Sequence, residues 1–445
     1  MRAPKAILVP LSYPDYPREV VDRFIKQSAD AVRSLGIDLA VTEVLVTEKN
    51  IEAVRKALRE NEFDFTIPLI VSWHEAPNVV AAMRDVFDRP MLLWTHTTYR
   101  EGNETLTLGP IPAAGVLRET FEEMGARFKF IYGMPDSPAV RRDIASYART
   151  ALAVTALSRV RVGLFGYISM GMYTAGFDHT RVRSQLGPEV VHLDQYRIIK
   201  RVEEADAKAV AALVAKARKE WDLTDAVDDK ALTTVMKMYL ALRTLVQENA
   251  LDAVTVKCQY ELSRIYGVAP CIPLSMLGDD LPCSCEGDMP LILSQIMLHY
   301  LTGGAVTTYG DAHEVLADNS MLFAACGFAP LCQAAGRPKV SRHTALYEGL
   351  LNMSPYKDGP VTLARLASDG AGYKMHIATG TAGAMPPFHE INCPTYAGMK
   401  VCLDGSADHF MQNLMSQHYG IVYGNVRNEL LELCRWLSIR VVESR

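Results

Sequence analysis

Short apolar runs alternate with amphipathic helical periods in the first part of the chain. Ala6–Leu11 and Asp64–Val71 have the continuous apolar pattern of buried strands, and Arg18–Leu35 has the periodicity of an amphipathic helix. Such alternation is typical of βαβ units, in which helices cover both faces of a parallel sheet. It predicts an N-terminal α/β domain over residues 1–155.

The same alternation resumes after a helical stretch rich in alanine. Val160–Gly166, Glu189–Leu193 and Asp252–Lys257 are predicted strands, and Asp229–Glu248 is a predicted long helix. These elements predict a second α/β domain over residues 156–337, again with a parallel sheet. The glycines that follow its first strand lack the G-x-G-x-x-G spacing, and no P-loop lysine follows them, so no nucleotide cofactor is expected.

The pattern changes after the second domain. Short strand candidates are separated there by turns rich in glycine and proline, at Pro360–Ala367, Lys374–Ala378 and Met399–Leu403. The last helix is predicted to begin near Asn425. Residues 338–445 are therefore predicted to form a β-rich, barrel-like C-terminal domain with a final helix. The predicted fold class is α/β, with two Rossmann-like parallel-sheet domains followed by this β-rich domain.

The composition is that of an ordinary soluble protein: 49% of the 445 residues are hydrophobic, 22% are charged, and the net charge is −5. The absence of a basic excess argues against a nucleic-acid partner. No apolar stretch approaches the ~20 residues that span a bilayer. The opening apolar run, Ala6–Val9, is too short for a signal peptide, so a cytoplasmic location without a membrane partner is expected. The odd number of cysteines, nine, predicts reduced thiols rather than a disulfide framework.

Two acids and one histidine form the candidate chemical site. Glu286 precedes a predicted helix that has Asp288 as its N-cap, and Asp311 comes just past the strand that follows this helix. One βαβ step can bring both acids to the same edge of a sheet. His418 would complete an O/O/N ligand set suited to a hard divalent metal. A solvated loop acid, a turn residue and a structural histidine would give the same pattern, so the spacing alone leaves both interpretations open.

Several segments of the chain resemble the L-fucose/L-arabinose isomerase superfamily, and they are most similar to its fucose isomerase-like branch. They are Lys257-Cys258-Gln259, Cys285-Glu286-Gly287-Asp288, Ala305–Asp311 and His418–Asn425. The resemblance implies one Mn²⁺ bound by Glu286, Asp311 and His418, for which Mg²⁺ and Co²⁺ are alternatives. It also implies that the two carboxylates transfer protons, and that the protein is a homo-oligomer, often a hexamer, with active sites near subunit boundaries.

The expected function is that of a metal-dependent aldose–ketose isomerase, an intramolecular oxidoreductase. Its substrate would be a hexose, a pentose or a modified sugar, either deoxy or anionic, converted through a cis-enediol. Glu286 or Asp311 would move the proton between neighbouring carbons, while the cation stabilises the enediolate charge. Two alternatives stay open: a metal-dependent sugar lyase or epimerase that uses the same enediolate, and a non-catalytic sugar-binding protein.

Three residues are candidates for holding the sugar. Gln259 follows a predicted strand, and Trp73 and His74 follow another strand in the first domain, at the sheet edge where ligand groups gather in parallel sheets. Many members of the resembled family have a histidine where this chain has Ala325, a departure that bears on the substrate and on the acid/base relay. An anionic sugar would be compatible with the basic residues near predicted loops, Arg100, Arg264 and Arg342.

Overall fold

A computed structural model describes residues 2–343, 349–370, 372–383, 385 and 397–444 of the chain. The chain divides into two compact units, Met1–Thr155 and Ala156–Arg445. Among the described residues, no helix combines the length and the apolar composition that crossing a bilayer requires.

Strands and helices alternate through the first unit. In chain order its elements are β1 (Lys5–Leu11), α1 (Arg18–Arg33), β2 (Asp38–Val41), α2 (Ile51–Glu60), β3 (Phe65–Ile70), α3 (Ala76–Met83), β4 (Met91–Thr95), β5 (Tyr99–Glu101), β6 (Glu104–Leu106), α4 (Pro110–Glu123), β7 (Phe128–Tyr132) and α5 (Pro138–Leu157). Five strands form a parallel sheet in the order β2-β1-β3-β4-β7, and β5 pairs with β6 in a separate hairpin.

Alternate residues of each parallel strand face opposite helical layers. Ala6 and Leu8 of β1 pack in a core with α1 and α5, whereas Ile7 and Val9 pack in a second core with α2, α3 and α4. Because helices cover both faces, the central strands β1, β3 and β4 are buried along almost their whole length, and this is why the sequence pattern identifies them. The predicted parallel sheet is confirmed.

The second unit contains strands of two kinds. Its elements are β8 (Arg161–Phe165), α6 (His179–Arg181), β9 (Glu189–Leu193), α7 (Gln195–Glu203), α8 (Ala207–Glu220), β10 (Asp222–Leu223), α9 (Asp229–Glu248), β11 (Ala253–Val256), α10 (Cys271–Leu277), β12 (Cys283–Cys285), α11 (Met289–Leu301), β13 (Thr307–Val315), β14 (Ser320–Ala325), β15 (Lys339–Arg342), β16 (Leu350–Asn352), β17 (Gly359–Asp369), β18 (Gly372–Gly383), β19 (Ala397–Leu403), α12 (Ala407–Gln412), β20 (His418–Tyr423), α13 (Arg427–Trp436) and β21 (Arg440–Glu443).

Four strands of this unit form a parallel sheet in the order β12-β11-β8-β9. Apolar residues of α7, α9 and α10 share one core with these strands. This arrangement confirms the second parallel sheet that the sequence predicts. A small sheet in the order β10-β15-β16 is separate from it.

The remaining strands form a larger sheet in the order β17-β20-β13-β14-β19-β18-β21. Because β18 also pairs with β17 along their lengths, six of these strands close into an antiparallel ring, and β21 adds to β18 in parallel. Strands β13 and β14 precede residue 338, at which the C-terminal domain is predicted to begin, yet they lie in the middle of this ring. The predicted boundary therefore falls, along the chain, between strands that belong to the same sheet.

Candidate active site

Glu286 lies in the turn between β12 and α11, where the sequence places it. Glu286 and Gly287 both have positive φ angles, +68° and +67°. A non-glycine residue in this region costs on the order of 1 kcal/mol, and such residues concentrate at functional sites. Asp288 is the N-cap of α11, as predicted, because its Oδ1 accepts a hydrogen bond from the backbone N–H of Leu291 at 3.0 Å. The turn holds the Glu286 side chain, which is almost fully buried, at the carboxyl end of the parallel sheet.

Gly287 is expected to reject even a methyl side chain. A Cβ at this position would overlap the backbone carbonyl oxygen of Tyr167, whereas Gly303, with a φ of +76°, has open space around its Cβ position. We expect Gly303→Ala to lower the free energy of unfolding by about 1–2 kcal/mol, the cost of a left-handed alanine. Gly287→Ala should lower it clearly more in urea denaturation, because the carbonyl must also move. Equal losses in the two variants would contradict this close approach.

Asp311 and His418 are direct neighbours on adjacent antiparallel strands. They are register partners in the pairing of β13 with β20. Asp311 therefore lies inside a strand, and the prediction that it follows a strand at the edge of a parallel sheet is wrong. The physical reason is that β13 does not continue the parallel sheet after α11 but enters the antiparallel ring. The two acids come from different sheets, and α11 connects them.

The three predicted residues meet at Nε2 of His418. This nitrogen lies 3.3 Å from Oδ1 of Asp311 and 3.6 Å from Oε2 of Glu286. Metal–ligand lengths of about 2.0–2.2 Å place neighbouring ligand atoms roughly 3 Å apart, so both nitrogen–oxygen separations and the O/O/N set suit a hard divalent cation. The ligand atoms of the three side chains do not all lie within 4.8 Å of one another, so the two carboxylates must move closer together to share an ion. The imidazole is buried, and the ring of Tyr309 packs edge-on against it with centroids 5.2 Å apart.

Asp288 and Arg365 complete the site, and neither contact with His418 or with the other residue was predicted from the sequence. Nδ1 of His418 donates to Oδ2 of Asp288 at 2.8 Å, and Nη1 of Arg365 donates to the same oxygen at 2.8 Å. Nη2 of Arg365 also donates to the carbonyl of Thr174 at 2.8 Å. A carboxylate on the far nitrogen fixes the orientation of a ligating histidine, here with Nε2 directed at Glu286 and Asp311. The sequence feature that could have identified Arg365 is its position as a charged residue within the apolar run Val361–Leu366.

Burial and neighbouring charges shift the pKa values of the site residues in opposite directions. Burial raises the pKa of Glu286. Burial also opposes ionisation of Asp288, but Arg365 and His418 outweigh it and lower the pKa of Asp288 to about 2. For His418, burial disfavours the cation, but Asp311, Asp288 and Glu286 raise its pKa to about 9. Three carboxylates therefore surround one imidazole, an excess of negative charge that attracts cations.

Ala325 forms part of an apolar wall beside these groups. It is the last residue of β14, is fully buried, and shares a core with Cys285, Tyr309 and Phe328. The next residue, Cys326, donates its thiol to Oε1 of Glu286 at 3.7 Å. The departure from the family pattern therefore places a methyl group, rather than an imidazole, next to this thiol. All cysteines in the described ranges are free thiols, and the ninth, Cys393, lies outside these ranges.

The three predicted sugar-binding residues lie in different units. Gln259 is partly buried and lies three residues past β11, at the same edge of the parallel sheet as Glu286. Trp73 and His74 belong to the first unit, beyond the end of β3. Trp73 is partly buried, whereas His74 is fully buried and burial lowers its pKa to about 4. Sugar binding by these residues stays a prediction.

Comparison with known proteins identifies the class of enzyme. Residues 353–445 match the family model described as "L-fucose isomerase, C-terminal domain". The chain is also 22% identical over 442 residues to a sulfoquinovose isomerase of Alkalicoccus urumqiensis, covering 98% of both chains. A sulfoquinovose isomerase of Priestia aryabhattai is 22% identical over 449 residues, covering 99% of both chains. The protein is thus an enzyme of the isomerase class, and its resemblance to the L-fucose/L-arabinose isomerase superfamily is confirmed.

Two further comparisons add little. A sulfoquinovose isomerase of Clostridium sp. (strain MSTE9) is 22% identical over 371 residues, covering 80% of this chain and 81% of its own. The solved structure of D-2-hydroxyisocaproate dehydrogenase covers 67% of this chain and 76% of its own at 12% identity, with a TM-score of 0.15. That score carries no information about this fold.

Proposed function

We propose that the protein is a divalent-metal-dependent aldose–ketose isomerase that acts on an anionic sugar such as sulfoquinovose. The observation that supports this proposal best is the convergence of Glu286 and Asp311 on Nε2 of His418, at 3.6 and 3.3 Å. Glu286, Asp311 and His418 would hold Mn²⁺, or Mg²⁺ or Co²⁺ in its place. The activity class follows the isomerases to which the chain is similar.

An aldose–ketose isomerisation moves one proton between adjacent carbons and another between their oxygens. The bound cation would supply Lewis-acid stabilisation of the negative charge that develops on those oxygens, worth several kcal/mol. The two carboxylates serve as the groups that accept the carbon-bound proton and return it to the neighbouring carbon. A positioned base contributes about 10²–10⁴-fold to the rate. The burial of Glu286 excludes bulk water from this transfer, whereas Asp311, 21% exposed, lies on the accessible side.

Asp288 and Arg365 act through His418 in this proposal. They touch neither the carbon-bound proton nor the sugar oxygens, but they fix the imidazole so that Nε2 is directed at the two carboxylates. Both side chains are completely buried, so their arrangement depends on the fold and not on solvent. Asp288 also caps α11 through its other oxygen, which ties the orientation of the imidazole to the position of that helix.

Arg264 is the best candidate for holding the anionic substituent. It lies in the segment Glu261–Tyr266, which follows Gln259 beyond the carboxyl end of β11. Its guanidinium lies over the ring of Tyr260, 5.0 Å from the centroid, and it forms no ion pair with any residue that the structure describes. Arg342 instead lies 3.3 Å from Asp228, and Arg100 belongs to the first unit. A guanidinium without an acidic partner is suited to a sulfonate or phosphate.

The test is conversion of sulfoquinovose, compared with the same sugar lacking the sulfonate. The protein is stripped with a chelator, reloaded with Mn²⁺, and the products are identified by NMR and mass spectrometry. We expect a ketose with the same number of carbons, formed only after reloading and faster from the sulfonated sugar. Shorter products would indicate a lyase. If Mn²⁺ binds but no aldose is converted with Mn²⁺, Mg²⁺ or Co²⁺, the proposal is wrong.

A further inference from the structure

A cluster of thiols borders the Glu286 side of the site. Sγ of Cys258, Sγ of Cys285 and a carboxylate oxygen of Glu286 all lie within 4.8 Å of one another, and all three residues are buried. Cys285 ends β12, and its register partner on the adjacent parallel strand β11 is Val256, two residues before Cys258. The ends of two neighbouring strands thus bring two sulfur ligands and one oxygen ligand to a single point.

We propose that Cys258, Cys285 and Glu286 form a second cation site, one that selects a soft divalent ion such as Zn²⁺ or Cd²⁺. Thiolate sulfur favours such ions, whereas the O/O/N set around His418 favours hard ones. With Zn–S lengths of about 2.3 Å and Zn–O lengths of about 2.0–2.2 Å, ligand atoms of a tetrahedral site lie roughly 3.5–3.8 Å apart. The observed cluster therefore needs a contraction of at most about 1.3 Å to reach that geometry.

Further polar groups border this cluster. Cys326 adds a third thiol beside Glu286, with its Sγ 3.7 Å from Oε1 of that residue. The hydroxyl of Tyr309 contacts Sγ of Cys285 and offers a hydrogen bond to a ligating sulfur. Binding forms two metal–sulfur bonds and one metal–oxygen bond, and it releases the two thiol protons to solvent. No oxidant or other reagent is needed.

Glu286 belongs both to this thiol site and to the hard-cation site of the proposed function. The following inference about displacement rests on that proposed function. A soft ion on the two sulfurs draws the Glu286 carboxylate away from His418 and Asp311. The hard cation then loses one of its three protein ligands. We therefore expect Zn²⁺ or Cd²⁺ to displace Mn²⁺ from the protein.

The thiol site is tested with Cd²⁺ alone, because thiolate–cadmium bonds absorb in the ultraviolet. Cys332 and Cys402 are exposed, and Cys393 lies outside the described residues, so the full-length variant Cys332→Ser/Cys393→Ser/Cys402→Ser serves as the background. We expect its titration to give an absorption band that saturates at one Cd²⁺ per chain. Adding Cys258→Ser or Cys285→Ser should abolish the band or weaken Cd²⁺ binding by at least about tenfold. Adding Cys434→Ser, a buried thiol in α13, should change neither.

An unchanged band in both Cys258→Ser and Cys285→Ser, with folding verified by circular dichroism, would overturn the thiol site, as would the absence of any band. Displacement is read separately, from the electron paramagnetic resonance of Mn²⁺ released as Cd²⁺ is added. Simultaneous binding of both ions would overturn the shared role of Glu286. The absorption titration needs no sugar and no turnover. The thiol site can therefore be confirmed even if the isomerase proposal is wrong, and the isomerase proposal can be confirmed even if the thiol site is wrong.

Discussion

Glu286→Gln is expected to lower isomerase turnover by at least about 10²–10⁴-fold, the usual contribution of a positioned base. The amide keeps the shape of the side chain but removes the negative charge, so the protein loses both a proton acceptor and one proposed metal ligand. The buried amide no longer repels Asp311 and Asp288, so the fold should persist. Turnover is measured as ketose formed under saturating sugar and Mn²⁺, and bound metal is measured by elemental analysis.

Glu60→Gln is the matched control for this variant. Glu60 ends α2 in the first unit and is exposed, and its nearest cation, Lys56, lies 3.9 Å away. It should retain the turnover and the metal content of the unaltered protein. A Glu286→Gln variant with full turnover and full metal content would remove the support for the proposed mechanism.

Arg365→Met is expected to lower the free energy of unfolding by about 3–5 kcal/mol, the usual cost of removing one partner from a buried ion pair. The side chains of Arg365 and Asp288 are both fully buried, and the pair is 2.8 Å apart. Without the guanidinium, the Asp288 carboxylate keeps its buried charge with only His418 and the amide of Leu291 to compensate it. Urea denaturation monitored by circular dichroism measures the loss.

Arg440→Met provides the comparison. Arg440 on β21 forms an ion pair of similar length, 2.6 Å, with Asp369 on β17, but its side chain is 55% exposed. Solvent compensates the remaining charge there, so the variant should lose far less stability. A double variant, Arg365→Met/Asp288→Asn, should lose less than the sum of its two single variants, because the amide keeps the helix cap without a buried charge. Equal losses in Arg365→Met and Arg440→Met would show that the buried pair has no special role.

These two predictions concern different parts of one arrangement. Glu286 is held by the end of the parallel sheet and by a turn with two positive φ angles, whereas Asp311 and His418 are held by the antiparallel ring. Asp288 joins the two parts, since one of its oxygens caps α11 and the other holds His418. A stability loss at Arg365 should therefore also reduce turnover, through the orientation of the imidazole.

The sequence by itself determined the features that depend on short-range patterns. Apolar strands covered by helices on both faces are continuous apolar runs, so the two parallel sheets could be predicted. The cap at Asp288 and the bounds of α9, Asp229–Glu248, depend on residues a few positions apart. Glu286, Asp311 and His418 were identified by residue type and by family resemblance, and neither source gave their distances.

Only the tertiary structure decided how these residues meet. The hydrogen bond between Asp288 and His418 joins positions 130 residues apart, and the one between Asp288 and Arg365 joins positions 77 apart. Such pairs depend on the register of β13 against β20 and on closure of the ring through β17 and β18. Register is set by the packing of whole strands, and local propensity and periodicity carry no information about it. The same holds for Cys258 and Cys285, which adjacent strands bring together beside Glu286.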